Sequence, residues 1–354
     1  MFTTLFNNNN NNNNPNILLI GSGWSARGFI DSINTQKYNV TVISKNLKFL
    51  YTPLLANYCI NKGIKNIDND ISTDKSINLM NNSVTDVNFE IKQIICNDKK
   101  IFNYDYVVFS HGSIINTFNI DGVAKNCYFL KSKDDADNIY DKISKLSNNK
   151  NISIIGCGLT GTELIGNLID SNKFNINAID GLSGPIQMFS NKNIDKTIHL
   201  WDKNNVNMIF NKFVNKIDDK YIYYNDGKIN YDIAIWCGGI KISPLSVNIN
   251  NKLGLISNRG IPVNKFLEIN KNSFAIGDCA DSGFPPSAQN AYQQGNYLAK
   301  RFNNDFNDNI EYDFFDKGKL CYIGNYNSIY ENNLFSISGK IGHILGKIIH
   351  FYNN

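Results

Sequence analysis

The residues of this chain that could do chemistry lie in a few short stretches rich in glycine, aspartate and glutamine. Residues 17–28 read ILLIGSGWSARG, which places Gly21-x-Gly23-x-x-Ala26 directly after a run of apolar residues. Residues 152–168 read ISIIGCGLTGTELIGNL and repeat the arrangement with Gly156-x-Gly158-x-x-Gly161. Small residues at a strand-to-helix turn let backbone amides approach a pyrophosphate, which then rests on the partial positive charge of a helix N-terminus. These six positions, with Trp24 and Thr160 inside the turns, are the first binding candidates. One such turn can be an ordinary strand–helix connection, whereas two in one chain favour dinucleotides. Asp180 stands 24 residues beyond Gly156, close to the ~20 at which a carboxylate accepts from a ribose 2′-hydroxyl. It favours NADH over NADPH, since a carboxylate repels a 2′-phosphate; an exposed turn aspartate is the alternative. The first copy has Ser44 at the end of its second strand, with no acid there. Gly277-Asp278 ends the apolar run SFAI and could bring a carboxylate to ligand hydroxyls, or be a simple turn. The stretch FPPSAQNAYQQG at 284–295 sets prolines before a helix start carrying three glutamines, where amides beside Tyr292 and Pro286 suit a flat head group with two carbonyl oxygens; packing of small residues is the alternative.

Such residues need strands and helices to hold them. At 354 residues the chain has room for two lobes, and its 42% hydrophobic content, spread throughout, argues against a disordered body. A formal net charge of +4 with no basic block gives no reason to expect nucleic acid. Seven scattered cysteines without a CxxC pair argue against a disulfide framework and point to an intracellular, reducing compartment. The start, MFTTLF and eight asparagines, matches no targeting peptide, so residues 1–15 are read as a disordered tail outside the fold. No apolar run is long enough to span a bilayer, and no metal-ligand spacing is visible. His111, His199, His343 and His350 are read as structural or exposed.

Further stretches resemble, in chain order, segments of the type II NADH:quinone oxidoreductases, the single-subunit alternative NADH dehydrogenases among the two-dinucleotide-binding-domain flavoproteins. They are VTVISKNLKFLYTPLL (40–55), NTFNIDGVAKNCYFLKSKDDA (116–136), WCGGIKISP (236–244), FPPSAQNAYQQGNYLAKRFN (284–303) and GKLCYIGN (318–325). The resemblance implies an α/β fold of two Rossmann-like dinucleotide-binding domains plus a short C-terminal helical segment. FAD would occupy a discontinuous domain over residues 16–120 and 265–310, and NADH a domain over 121–264, with 311–354 as the C-terminal region. It implies cofactor contacts at both glycine turns and at Ser44, Thr52, Pro53, Gly112, Asp180, Gly239, Gly277, Asp278 and Ala288. Glu163 would lie near the nicotinamide, and Gln289, Gln293 and Gln294 would line a quinone slot, with Glu163 and Gln289 as the catalytic candidates. Lys45 and Asn46 depart from the family's usual Pro-Arg, and Asn167 stands where a second glutamate is usual.

The implied reaction is hydride transfer from NADH to flavin and electron delivery to a quinone, without proton pumping. Lipid-soluble quinones imply a membrane surface, for which KIGHILGKIIHFY (340–352) offers one stripe of Ile341, Ile344, Leu345, Ile348 and Ile349; the same stripe suits docking on the body or a homodimer. A sulfide:quinone or other NAD(P)H flavin oxidoreductase and a non-catalytic flavoprotein redox sensor are the alternatives.

Overall fold

The computed structural model of the chain describes residues 13–353, apart from 62, 64–66, 73 and 75. Most of the Asn-rich tail lies outside the described residues. At its end Asn14 is tied down, its Nδ2 donating to Gln36 O at 2.8 Å.

The chain forms two compact units. The first takes the described residues of Met1–Phe49, Asp68–Ile114 and Lys241–Asp316; the second takes those of Leu50–Ile67, Ile115–Ile240 and Lys317–Asn354. Residues 241–264, expected with the NADH-binding domain, therefore pack with the first unit, and 50–67 pack with the second. Both departures follow from side chains that find their apolar partners far along the chain: Leu245, Ile249 and Ile261 join a core with Leu18, Ile43 and Phe109. Leu55, Ala56 and Cys59 join one with Leu164, Ile165 and Leu168.

The first unit is built on a six-stranded sheet in the order Glu268–Asn270, Ser273–Ala275, Tyr106–Phe109, Asn16–Ile20, Asn39–Ser44, Asn78–Asn81. All pairings are parallel except the first hairpin. Ile17, Leu18 and Leu19 are fully buried, as expected of a central parallel strand covered on both faces. Helix Trp24–Ile30 leaves the end of that strand and crosses helix Ala288–Asn303 at very close range. A Cβ added at Gly28 would lie 2.2 Å from Tyr292 O, and one at Gly295 would lie 2.0 Å from Ser25 O.

The second unit repeats the plan with a five-stranded parallel sheet in the order Cys127–Phe129, Ile233–Trp236, Asn151–Ile155, Asn175–Ile179, Asn207–Ile209. Helix Lys133–Ile143 opens with a capping box in which Ser132 and Asp135 satisfy each other's backbone amides. Helix Leu159–Ser171 follows the second glycine turn and packs on strand Lys319–Gly324, where a Cβ at Gly166 would meet Gly324 N at 2.7 Å. The C-terminal region is more than a helical segment: three antiparallel strands, Lys319–Gly324, Asn327–Glu331 and Ser336–Gly339, precede helix Lys340–Asn353.

Gly295→Ala tests the helix crossing. Alanine favours a helix over glycine by about 1 kcal/mol, whereas forced overpacking costs roughly 1–3 kcal/mol, and here the obstacle is backbone. The variant is expected to unfold at lower urea concentration than the parent; equal or greater stability would show that the helices separate freely.

Candidate functional site

In the first unit, the turn after Ile20 is held by the Gly21 N–H, which donates to Ile43 O at 2.9 Å. Gly23 is the N-cap of helix Trp24–Ile30 and brings no capping side chain. A Cβ added there meets nothing within 4 Å, so the turn borders open space at Gly23. Ala26 is fully buried, and the Trp24 ring lies edge-on to Phe49 at 4.8 Å. Ser44 closes the second strand with a hydroxyl 3.0 Å from that of Ser22, giving this site a neutral end. Gly112, at φ +70°, also borders open space. Next to it, Ser113 Oγ donates to Asp278 Oδ2 at 3.1 Å, so the Gly-Asp carboxylate is oriented and half-buried.

Helix Ala288–Asn303 begins after the two prolines, with Ser287 as N-cap accepting the Asn290 N–H at 3.1 Å. Ala288 and Gln289 occupy its first two positions and are half-buried. The other two glutamines are bonded within the protein. Gln294 is fully buried; its Oε1 accepts the Gly277 N–H at 2.6 Å and its Nε2 donates to Ser282 at 2.9 Å. Gln293 clasps the backbone of Phe315, donating to its carbonyl at 2.9 Å and accepting its N–H at 3.1 Å. The Gln293 amide is thus bonded to backbone at both ends, whereas that of Gln294 joins the Gly277 backbone to the Ser282 hydroxyl. Gln294 instead holds the Gly277-Asp278 turn in shape. No local signal announces that tether, because its two ends are 17 residues apart in unrelated elements.

In the second unit the glycine turn is tighter. The Gly156 N–H donates to Ile179 O at 2.8 Å, and a Cβ at Gly161 would lie 1.9 Å from Gly156 O. Gly158 is the N-cap of helix Leu159–Ser171, without a capping side chain and with nothing within 4 Å of an added Cβ. Thr160 is exposed in the first turn. Asp180 follows strand Asn175–Ile179, and its carboxylate accepts from the Cys157 N–H at 2.6 Å and the Leu182 N–H at 2.8 Å. It is therefore locked beside the glycine turn, with each oxygen retaining acceptor capacity. Thr52 and Pro53 lie in a 3₁₀ turn of this unit, Thr52–Leu54, and Gly239, at φ +116°, borders open space.

Glu163 sits one turn into the second helix. Desolvation raises its carboxyl to about 8, against a smaller opposing effect of a hydrogen bond from the Tyr322 backbone. Tyr51 is pushed up to about 12 by burial and then by the Glu163 charge. Asn167 turns back on its own helix, Nδ2 donating to Glu163 O at 2.7 Å. All seven cysteines are free, and burial raises Cys237 and Cys279 to about 12. His111 bonds Ser246 Oγ at 2.9 Å, and burial lowers it to about 4. Among the described residues no helix is long and apolar enough to cross a membrane, and no cluster of His, Cys, Asp or Glu suits a metal ion.

The chain is similar to a probable NADH dehydrogenase of Dictyostelium discoideum, 29% identical over 93% of this chain and 83% of that protein. It is 29% identical to the mitochondrial external NADH-ubiquinone oxidoreductase 2 of Saccharomyces cerevisiae, over 80% of this chain and 61% of the yeast protein. It thus spans about three fifths of that mitochondrial relative. The fold matches that of NDH2 from Plasmodium falciparum, solved in complex with NADH, with a TM-score of 0.87 and 23% identity over 96% of this chain and 94% of that one. The family model for pyridine nucleotide-disulphide oxidoreductases matches residues 15–295, most of the chain and both glycine turns, and the protein belongs to that family.

Proposed function

We propose that the chain is a type II NADH:quinone oxidoreductase, holding FAD in its first unit and NADH in its second. The carrying observation is the pair of uncapped helix starts, each with open space at the middle glycine, Gly23 and Gly158. Backbone amides there suit a pyrophosphate. The names of the Dictyostelium and yeast relatives support the reaction. Asp278, steadied by Ser113 and the Gln294 tether, would meet hydroxyls of FAD. Asp180 would accept from the ribose of NADH. A bound FAD supplies the redox chemistry, hydride acceptance from NADH and electron delivery to a quinone. Ala288 and Gln289, in the first turn of helix Ala288–Asn303, would contact the flavin and the quinone respectively, and Glu163 would hold a proton at its carboxyl near neutral pH. Desolvation holds the thiols of Cys237 and Cys279 protonated, which disfavours the thiolates that a cysteine-based sulfide oxidation needs.

The membrane contact is assigned to helix Lys340–Asn353. Its expected single stripe is in fact divided. Leu345 and Ile349 are half-buried on the side where Gly342 and Gly346 approach the C-terminal strands, whereas Ile341, Ile344 and Ile348 remain 70%, 59% and 48% exposed. Leu334 and Phe335 are exposed as well. Peripheral attachment through this outer face, flanked by Lys340 and Lys347, accounts for both stripes.

Three measurements test this account. Under anaerobic stopped-flow, NADH is expected to bleach the flavin band and a short-chain quinone to restore it; flavin that stays oxidised with NADH would refute the dehydrogenase. Ile344→Asp is expected to weaken flotation with anionic liposomes. Unchanged flotation together with a change in sedimentation would assign the face to a dimer instead. For Glu163, the folded value of about 8 exceeds the ordinary 4.5. Below about pH 4.5 both states are protonated and no penalty arises. As pH rises towards 8 the unfolded chain ionises first and folded stability is lost, on the order of a few kcal/mol. Glu163→Gln, which keeps an acceptor for Tyr322, should therefore gain in Tm over the parent at pH 8.5 and match it at pH 4.5. A constant difference would contradict the shift.

A further inference from the structure

We propose that Asp170 is a positioning residue for Glu163: through Tyr322 it holds strand Lys319–Gly324 against helix Leu159–Ser171 and so keeps water from that carboxyl. The inference rests on reading Glu163 as a proton-holding group of the dehydrogenase. The two acids stand seven residues apart on the helix, about two turns, and so share one face. One residue of the strand bonds both. The Tyr322 backbone donates to the Glu163 carboxyl, and the Tyr322 hydroxyl donates to Asp170 Oδ2. The other oxygen of Asp170 accepts the Asn325 N–H at 2.6 Å. Asp170 therefore grips both the strand and the turn that follows it.

That turn needs holding. Asn325 and Tyr326 join strands Lys319–Gly324 and Asn327–Glu331 as a two-residue loop, and both adopt left-handed backbone, at φ +51° and +58°. Such loops favour glycine at the second position, and a tyrosine there is strained. The Tyr326 N–H donates at 3.1 Å to the Tyr322 hydroxyl, the same oxygen that reaches Asp170. Asp170 itself stands in a last helical turn without a basic residue, where the helix dipole disfavours negative charge. Its compensation is the two donors from the hairpin. Between the acids the fit is close: a Cβ at Gly166 would lie 2.8 Å from Ile323 C, so strand and helix touch backbone to backbone. A strand released at Asp170 can lift and admit water beside Glu163. The titratable groups coupled to Glu163 are Tyr51 and Cys321, and burial holds both neutral where Glu163 titrates. His343, its ring centroid 5.3 Å from that of Tyr322, is lowered by burial and then by Lys347, against a smaller opposing effect of Asp170, so it too is neutral there.

The test is a carbon-13 NMR titration of the full chain with its glutamate carboxyls labelled. There are only five glutamates, so Glu163→Gln identifies the signal by its loss. Wild type is expected to titrate at about 8. In Asp170→Ala the midpoint is expected to fall by about one pH unit or more, a tenfold or greater loss of proton affinity. Tyr322→Phe, which keeps the ring and loses only the hydroxyl, should do the same, and it decides the matter if Asp170→Ala does not fold. The pH at which the rate of flavin bleaching by NADH changes should move with the midpoint. A role in stability alone would lower the urea midpoint of both variants and leave the Glu163 titration unmoved; that result overturns the proposal while the dehydrogenase stands. A wild-type midpoint near the ordinary 4.5 overturns it too, since the strand then shields nothing. Bleaching that ignores the protonation of Glu163 in every variant removes Glu163, and Asp170 with it, from the reaction. A wild type that NADH does not bleach refutes the dehydrogenase, and any part of Asp170 in it falls as well.

Discussion

Close approach of backbone to backbone is the constraint on which both units depend. At Gly156 an added Cβ would lie 2.5 Å from Cys237 O, and at Gly21 one would lie 2.4 Å from Ser110 O. In each case the turn between strand and helix lies against the end of the neighbouring parallel strand, with no side chain between them. Only that closeness lets a helix begin directly above the sheet edge with its uncapped amides together. A bulkier residue would push the helix away, and the convergence of donors that suits an anion would be lost. The same constraint governs the crossing at Gly28 and Gly295, so the helix that carries the first turn is also fixed at its far end.

The polar residues around these turns fall into those that shape the site and those left to meet a ligand. Gln294 and Gln293 belong to the first group, since both ends of each amide are taken by other groups. Asp180 and Asp278 are oriented by hydrogen bonds yet keep further lone pairs, which is the condition of a pre-arranged acceptor. Glu163 is a different case. It has too little solvent to favour its charge, and near neutral pH its proton stays on. Burial thus keeps one carboxyl neutral, whereas hydrogen bonds orient the two carboxylates.

The last helix shows how one apolar pattern can serve two surfaces. Leu345 and Ile349 pack inward where Gly342 and Gly346 admit close contact, and a Cβ at Gly342 would lie 2.3 Å from Ser328 O. The helix therefore rolls towards its glycines and turns three isoleucines outward. Hydrophobic periodicity alone assigns all five apolar residues to a single face, because it weighs residue type and ignores how near the backbone can come.

By itself the sequence determined the elements and the chemistry they could hold. The apolar runs at 17–20 and 152–155 must be buried parallel strands, the glycine spacings require turns, and Asp180 falls at a strand end because the strand–helix–strand repeat has a nearly constant length. These are local properties, written in consecutive residues. Tertiary structure decided which polar side chains are free, which unit residues 50–67 and 241–264 join, and which isoleucines face outward. Each of those outcomes turns on a partner far away in sequence: Phe315 for Gln293, Gly277 for Gln294, Tyr322 for Asp170. A hydrogen bond or a steric contact is set by distance in space, and no residue's identity reveals that distance until the chain has folded.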